Sequence, residues 1–280
     1  MTIQTLSGIG LERITDAFNR AFSDYFVPMH LSSEQLRGKM DSEGVDLGFS
    51  AGAFDGDQLA GLILHGVDTL NSEKTAYNAG TGVVPGHRGH GLTARLYDFI
   101  LPVLKEHGFS TIQLEVIQNN APAIRSYEKV GFAITNELPC YKGKLALEKP
   151  GRAWQVTEIQ AYDWPLFRSF WDWPPSWQNA CAALDRLKVT NKAFGVFDRE
   201  RLAGYLILNP QTKRIQQFAV DRQYRRQGVA TALFGYVAEH VGKEVTLINL
   251  DGRAAVTLAF LQKIGLTEFL RQYEMKFVIR

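Results

Sequence analysis

Two short basic loops that carry glycine hold the residue types best suited to chemistry in this chain. The first reads Arg88-Gly89-His90-Gly91-Leu92-Thr93, the second Arg225-Arg226-Gln227-Gly228-Val229-Ala230. Each leads into a stretch whose apolar spacing predicts a helix, so each ends at a helix N-terminus. The first backbone N–H groups there have no partner within the helix, the dipole is positive, and glycine lets an anion approach the main chain. A pyrophosphate suits such a site, whereas an ordinary tight turn is the competing reading of either loop alone. The spacings GxGxxG and GxxxxGK[ST] are absent, which removes the usual phosphate cradles of dinucleotide-binding and P-loop proteins. His87 and His90 bring imidazoles to the first loop, either to neutralise phosphate or simply to face solvent. Cys140 and Cys181 stand alone with no CxxC or Cys/His spacing, so no metal site and no disulfide framework are expected, and a reducing cytoplasm fits best.

The elements that must position these loops occur twice. FDGDQLAGLILH from Phe54 is matched by FDRERLAGYLIL from Phe197, and VVPGHRGHGLTARL from Val83 by VDRQYRRQGVATALF from Val220. The first pair reads as a hairpin with a polar turn, the second as strand, loop and helix. After Gly91, the residues Leu92, Leu96, Phe99, Ile100, Val103 and Leu104 share a helical face with Gly108 as the stop, and Pro102 should bend this helix rather than end it. Val229, Leu233, Phe234 and Val237 repeat the pattern before Gly242. Strands from Thr111 (TIQLEVI) and Val245 (VTLINLD) come next, then amphipathic helices closing in KVGF at Lys129 and KIGL at Lys263. This order predicts a mixed-sheet α/β (α+β) domain present twice. LEKPGRA, near Glu148 to Ala153, supplies the Pro-Gly punctuation that places domains at 1–150 and 151–280.

The whole chain is 280 residues long with a formal charge of +2, too weak a balance to argue for nucleic acid as a partner. Residues 1–150 carry 13 Lys/Arg against 17 Asp/Glu, and residues 151–280 carry 18 against 12. An acidic first half could attract a cationic substrate, or the halves could simply be solvated differently. No apolar run approaches the roughly 18 residues that span a bilayer, and no basic segment leads into an apolar one at the start, so no membrane association is expected.

The two loops and the strand–helix segments after them resemble the GNAT superfamily of N-acetyltransferases, present as a tandem pair. Arg225 to Ala230 matches the family loop Arg/Gln-x-x-Gly-x-Gly/Ala throughout, and Arg88 to Thr93 departs from it only at Thr93. LEVIQNNAPAIRSYEKVGF, from Leu114 to Phe132, is similar to the family's second signature. The resemblance implies a duplicated acyl-CoA N-acyltransferase fold, acetyl-CoA as donor, coenzyme A as product and transfer of acetyl to a primary amine of a small molecule or peptide. It puts the pyrophosphate on the backbone of Arg88, Gly89, His90, Gly91, Leu92 and Thr93, and the pantetheine along the strand at Gly82, Val83 and Val84. A backbone N–H of Val83 or Val84 would polarise the thioester carbonyl. Asn119 would tie the pantetheine arm, with a turn cap in the Asn119-Asn120 pair as the alternative.

Amine transfer needs a base for the incoming ammonium and an acid for the departing thiolate. By resemblance, Tyr127 is the acid and Glu115, twelve residues earlier, the base. A half-buried core aromatic and a strand-surface carboxylate are the competing readings, and His65 is another candidate base if it is not a core histidine. In the segment from Phe22 to Met29, which would wall the acceptor site, Asp24 could attract an ammonium and Tyr25 pack on it, or Tyr25 and Phe26 could be core. The tryptophan cluster FWDWPPSW from Phe170 would line a pocket or bury itself between domains. Matching KVGF to KIGL puts Asn249, Arg253 and Leu261 at the positions of Glu115, Asn119 and Tyr127. The first half is therefore expected to catalyse and the second to serve as a structural or acceptor-shaping partner. A non-catalytic acyl-CoA-binding module is the alternative reading for the whole chain.

Overall fold

The hairpin and helix signals become elements in the expected order, described by the computed structural model over residues 1–25, 29–70, 72–147 and 153–280. Phe26, and all of the expected linker except Ala153, lie outside those residues. Two compact units form, one of Met1–Thr135 with Tyr273–Arg280 and one of Asn136–Gln272.

The first unit starts with β1 (Thr2–Thr5), α1 (Leu11–Ala21) and α2 (Ser33–Glu43). Then come β2 (Ala51–Asp55), β3 (Gln58–Leu70), β4 (Glu73–Val83), α3 (Leu92–Glu106), β5 (Phe109–Ile117), α4 (Ala121–Val130) and the start of β6 (Ala133–Lys144). The neighbours β1 to β4 are antiparallel, whereas β4 and β5 are parallel and are joined by α3. The helix α3 buries Leu92, Leu96, Tyr97, Ile100 and Leu104 and keeps Pro102 inside it. On the same sheet face lie Ile112, Leu114 and Val116 of β5 and Tyr127 of α4. The other face meets α1 at close range, because a Cβ on Gly82 would stand 2.7 Å from the Ala21 Cβ and one on Gly80 3.2 Å from the Phe18 ring. Glycine is what lets α1 pack there.

The second unit repeats the plan with β7 (Val156–Ile159), α5 (Trp164–Ser169), α6 (Cys181–Arg186), β8 (Lys192–Asp198), β9 (Arg201–Asn209) and β10 (Arg214–Val220). It continues through α7 (Val229–His240), β11 (Glu244–Leu247), α8 (Ala255–Lys263) and β12 (Thr267–Val278). Again the hairpin strands are antiparallel, and β10 and β11 are parallel across α7. The strand expected from Val245 to Asp251 stops at Leu247, because Asn249 takes a left-handed φ of 55° that no regular strand continues through. The end of β12 belongs to the first unit, where Met275 is fully buried in the core that holds Tyr127.

Candidate active site

The site is built from a strand pair that stops pairing. β4 and β5 pair from Lys74 opposite Phe109, with one register shift after Lys74, to Asn78 opposite Leu114 and no further, although β4 runs on to Val83 and β5 to Ile117. The β3 ladder supplies the cause. Leu64 pairs with Gly80 and His65 with Asn78, so Ala79 is an extra residue in β4, a bulge that turns the strand away from β5. Beyond it the Val84 N–H donates to the Ala60 carbonyl (2.9 Å). The alternation of an antiparallel ladder then sends the N–H groups of Thr81 and Val83 to the other edge, the one facing the parted β5. This corrects one expectation: the Val84 N–H is already engaged with β3, which leaves Val83 as the donor of that pair.

At the end of β4 the loop turns into α3. Gly89 and Gly91 have φ of 83° and 67°, Gly91 caps α3 with no side-chain hydrogen bond, and no atom beyond their chain neighbours lies within 4 Å of a Cβ at either position. The helix therefore opens on uncapped N–H groups with space in front, a fit for the pyrophosphate of an acyl-CoA. The Arg88 side chain does not reach into that space. Its guanidinium donates to the carbonyls of Val83 (3.0 Å) and Ala21 (2.9 Å) and grips both carboxylate oxygens of Asp24 at 2.6 and 2.8 Å. That bond holds the Asp24 carboxyl below the usual range, so Asp24 is a partner of Arg88 rather than an open anchor for an ammonium. His87 sits 3.2 Å from Asp55, His90 is exposed, and Leu92 is buried.

Glu115 and Tyr127 come from opposite faces at the parting. Leu114 and Val116 point into the core under α3, so Glu115 between them points to the α1 side, half-buried, where the Tyr77 hydroxyl donates to its Oε2 (2.8 Å). Tyr127 is buried on the α3 side, and burial pushes its phenol up to about 12. Asn119 is exposed in the turn after β5. Its neighbour Asn120 caps α4 by accepting from the Ala123 N–H (3.2 Å) and hydrogen-bonds Tyr25, whose phenol burial pushes up and this contact pulls down. The turn-cap alternative for the Asn119-Asn120 pair is thus realised at Asn120. His65 is a fully buried core residue, not a base. Its Nδ1–H donates to the Phe49 carbonyl (2.8 Å), and burial holds the imidazole down to about 4.

The second unit shares the scaffold and fills it differently. β10 and β11 pair only at Arg214 and Thr246, and Gln216 is the extra residue. Arg225 folds back as Arg88 does, onto the carbonyls of Val220 (3.2 Å) and Phe170 (3.0 Å) and onto Asp172 (2.8 Å). Beyond the last strand pair, Asn179 ties the two strands together. Its Nδ2 donates to the Ile248 carbonyl (2.9 Å), its main-chain oxygen accepts from the Gln217 amide (2.6 Å), and its Oδ1 accepts from Arg214 (3.0 Å). Of the tryptophans, Trp171 donates to the Tyr205 hydroxyl (2.6 Å), Trp173 lies 4.0 Å from the Arg253 guanidinium and Trp177 is buried. Leu261 is fully buried apolar core. Among the described residues no group of His, Cys, Asp or Glu could hold a metal ion, and no helix is long and apolar enough to cross a membrane.

Comparison with known proteins agrees with the duplicated plan. The model of the acetyltransferase (GNAT) family matches residues 11–132 and again 156–265. Over 99 residues, 34% of this chain and 51% of the relative, the chain is 36% identical to streptothricin acetyltransferase of Streptomyces lavendulae, so it spans about half the length of that curated relative. Among solved structures, a tandem GNAT protein from the clavulanic acid biosynthesis pathway superposes with a TM-score of 0.70 at 14% identity, covering 96% of this chain and 95% of the other. A GCN5-related N-acetyltransferase from Sphaerobacter thermophilus superposes with a TM-score of 0.66 at 18% identity, covering 100% and 96%.

Proposed function

The chain belongs to the acetyltransferase (GNAT) family, and from that premise we propose that its first unit transfers acetyl from acetyl-CoA to a primary amine by direct attack. The observation that carries this reading is the parting of β4 and β5 after Asn78 and Leu114, with Glu115 on one face of the sheet and Tyr127 on the other. Acetyl-CoA supplies the activated thioester. The uncapped start of α3 at Gly91 to Thr93, with Gly89 before it, holds the pyrophosphate, and Gly82 and Val83 line the pantetheine. The Val83 N–H holds the thioester oxygen as negative charge grows on it. Glu115, fixed by Tyr77, takes one proton from the bound ammonium and passes it to water, which frees the nitrogen lone pair for attack, and then takes the second nitrogen proton as the C–N bond forms. The C–S bond breaks with its electron pair on sulfur, and Tyr127 gives that sulfur its phenolic proton. Water then returns a proton to the phenolate and accepts the one held by Glu115.

The acceptor proposed is a small polar molecule or peptide that presents a protonated amine. Support comes from the Glu115 carboxylate on the acceptor face, from the acidic balance of residues 1–150, and from the similarity to an enzyme named for acetylating streptothricin. The second unit is proposed as a non-transferring partner. Leu261 has no proton to give, Asn249 is a poor base, and Asn179 occupies the parting of β10 and β11. The test is acetyl transfer from acetyl-CoA to a panel of streptothricin, spermidine, glucosamine and a lysine peptide, followed by mass spectrometry. Tight acetyl-CoA binding with no acetylated product from any of them would favour an acyl-CoA-binding module instead.

A further inference from the structure

Tyr127 does not sit alone in the core. The Asn78 Nδ2 donates to the Thr81 hydroxyl (2.7 Å) and to the Tyr97 hydroxyl (2.8 Å), and stands 3.5 Å from the Tyr127 hydroxyl. The Thr81 hydroxyl acts on both phenols as well, pulling each down against the burial that pushes it up. In a regular strand, residues three apart face opposite sides, so Asn78 and Thr81 share a face only because Ala79 is an extra residue. The Asn78 Oδ1 holds that bulge by accepting from the Gly80 N–H (3.0 Å).

The second unit is an internal control for what the fold itself requires. Registers Gly61 to Val83 and Gly204 to Val220 align the two hairpins and put Ile215 at Asn78 and Phe218 at Thr81. Counting six residues from Gly91 and Gly228 puts Phe234 at Tyr97, and Leu261 stands at Tyr127. All four polar positions are apolar there and pack in one core, with the Phe218 and Phe234 rings 5.0 Å apart. The same bulged strand and paired helices thus close with no polar group at these positions. Burying Asn78, Tyr97 and Tyr127 in the first unit, with Thr81 half-buried beside them, costs stability unless these groups are bonded to one another, and it adds nothing the fold needs.

We propose that Asn78, Thr81 and Tyr97 are positioning residues for the Tyr127 phenol, aiming its oxygen and donating hydrogen bonds to it once its proton has gone to the departing sulfur. This rests on the reading of Tyr127 as the proton donor. When the C–S bond breaks, the sulfur takes the electron pair and the proton of Tyr127, which leaves the negative charge on the phenol oxygen. The Asn78 Nδ2 is a donor only, its Oδ1 being held by the Gly80 N–H, and the hydroxyls of Thr81 and Tyr97 can turn their hydrogens toward that charge. In the repeat, Ile215, Phe218 and Phe234 could make no such bond.

The test uses the full chain with Tyr97→Phe, which is the repeat's own residue, and Thr81→Val, with Thr81→Ser as the conservative rescue. In the ligand-free protein labelled at the tyrosine ζ-carbon, both variants should move the Tyr127 resonance while Thr81→Ser leaves it near its original position. Release of CoA thiol from acetyl-CoA, with water or the best panel amine as acceptor, should slow by about tenfold in each, the worth of one hydrogen bond to a charged atom. The acetyl-CoA KM should stay within about twofold. In a Tyr127→Phe background neither change should slow the reaction further. An unmoved Tyr127 resonance in both variants, or losses that persist undiminished in that background, would overturn the proposal. If Tyr127→Phe is slow while Tyr97→Phe and Thr81→Val run at full rate, only the positioning role fails. If Tyr127→Phe itself runs at full rate, the proton-donor reading fails and the positioning role with it.

Discussion

At the scale of single residues, burial decides which groups carry a proton. The Tyr127 phenol, pushed up to about 12, is fully protonated near neutral pH and available as an acid. On the proposed reading, Tyr127→Phe should lower turnover by ~10²–10⁴-fold, the usual worth of a positioned acid, with little change in acetyl-CoA affinity by calorimetry. His65 shows the opposite consequence of burial. Its imidazole stays neutral in the folded protein down to about 4, whereas the unfolded chain takes up the proton near 6.5. Above 6.5 both states are neutral and the residue contributes no slope. Between 6.5 and 4 only the unfolded state binds the proton, so stability falls with pH by about 3 kcal/mol over that window. In denaturant unfolding at pH 7 and pH 4.5, His65→Gln should be less stable than wild type at the higher pH but lose clearly less on acidification. Equal losses in the two proteins would contradict the assignment of this slope to His65.

At the scale of elements, the junction of loop and helix does its work through the main chain. Gly91 and Gly228 both hold left-handed backbone as helix caps, but the position of Gly89 is taken by Arg226 at φ 59° in the repeat. A side chain is therefore compatible with the loop at the earlier position, and Gly91 is the more exacting of the two. Gly91→Val would place a β-branched residue in a strained backbone region at the start of α3 and in front of its open N–H groups. Calorimetry should show acetyl-CoA affinity in the first unit reduced by at least about tenfold, with the circular dichroism spectrum retained. Unchanged affinity would remove the anion site from this junction.

At the scale of the whole molecule, duplication has given two copies of one scaffold with different fillings. On the proposed division of labour, Gly91→Val abolishes acetyl transfer and Gly228→Val, its counterpart, leaves transfer in place. Activity that survives the first change and is lost in the second, with both variants folded, would reverse the roles. The mapping is sharp because both loops fold alike, with Arg88 and Arg225 turned back onto equivalent carbonyls. Any difference in transfer then comes from the side chains around the parted strands.

Much of this was written in local pattern. Helical spacing after Gly91 and Gly228, the twin hairpins and the KVGF and KIGL endings determined the elements and their duplication, because periodicity and turn chemistry act over a few neighbouring residues. The loop sequence was enough to mark a helix start open to phosphate for the same reason. What the tertiary structure alone decided depended on groups far apart in the chain. The extra residue Ala79 exists only relative to β3, the Val84 N–H is lost only to Ala60, and Asp24 is neutralised only by Arg88, 64 residues away. Tyr25 meets Asn120, and Asn78, Thr81 and Tyr97 converge on Tyr127 from a bulged strand and a separate helix. Hydrogen bonds are short-ranged and directional, so which groups they join is settled only when packing has brought distant elements within about 3 Å of one another.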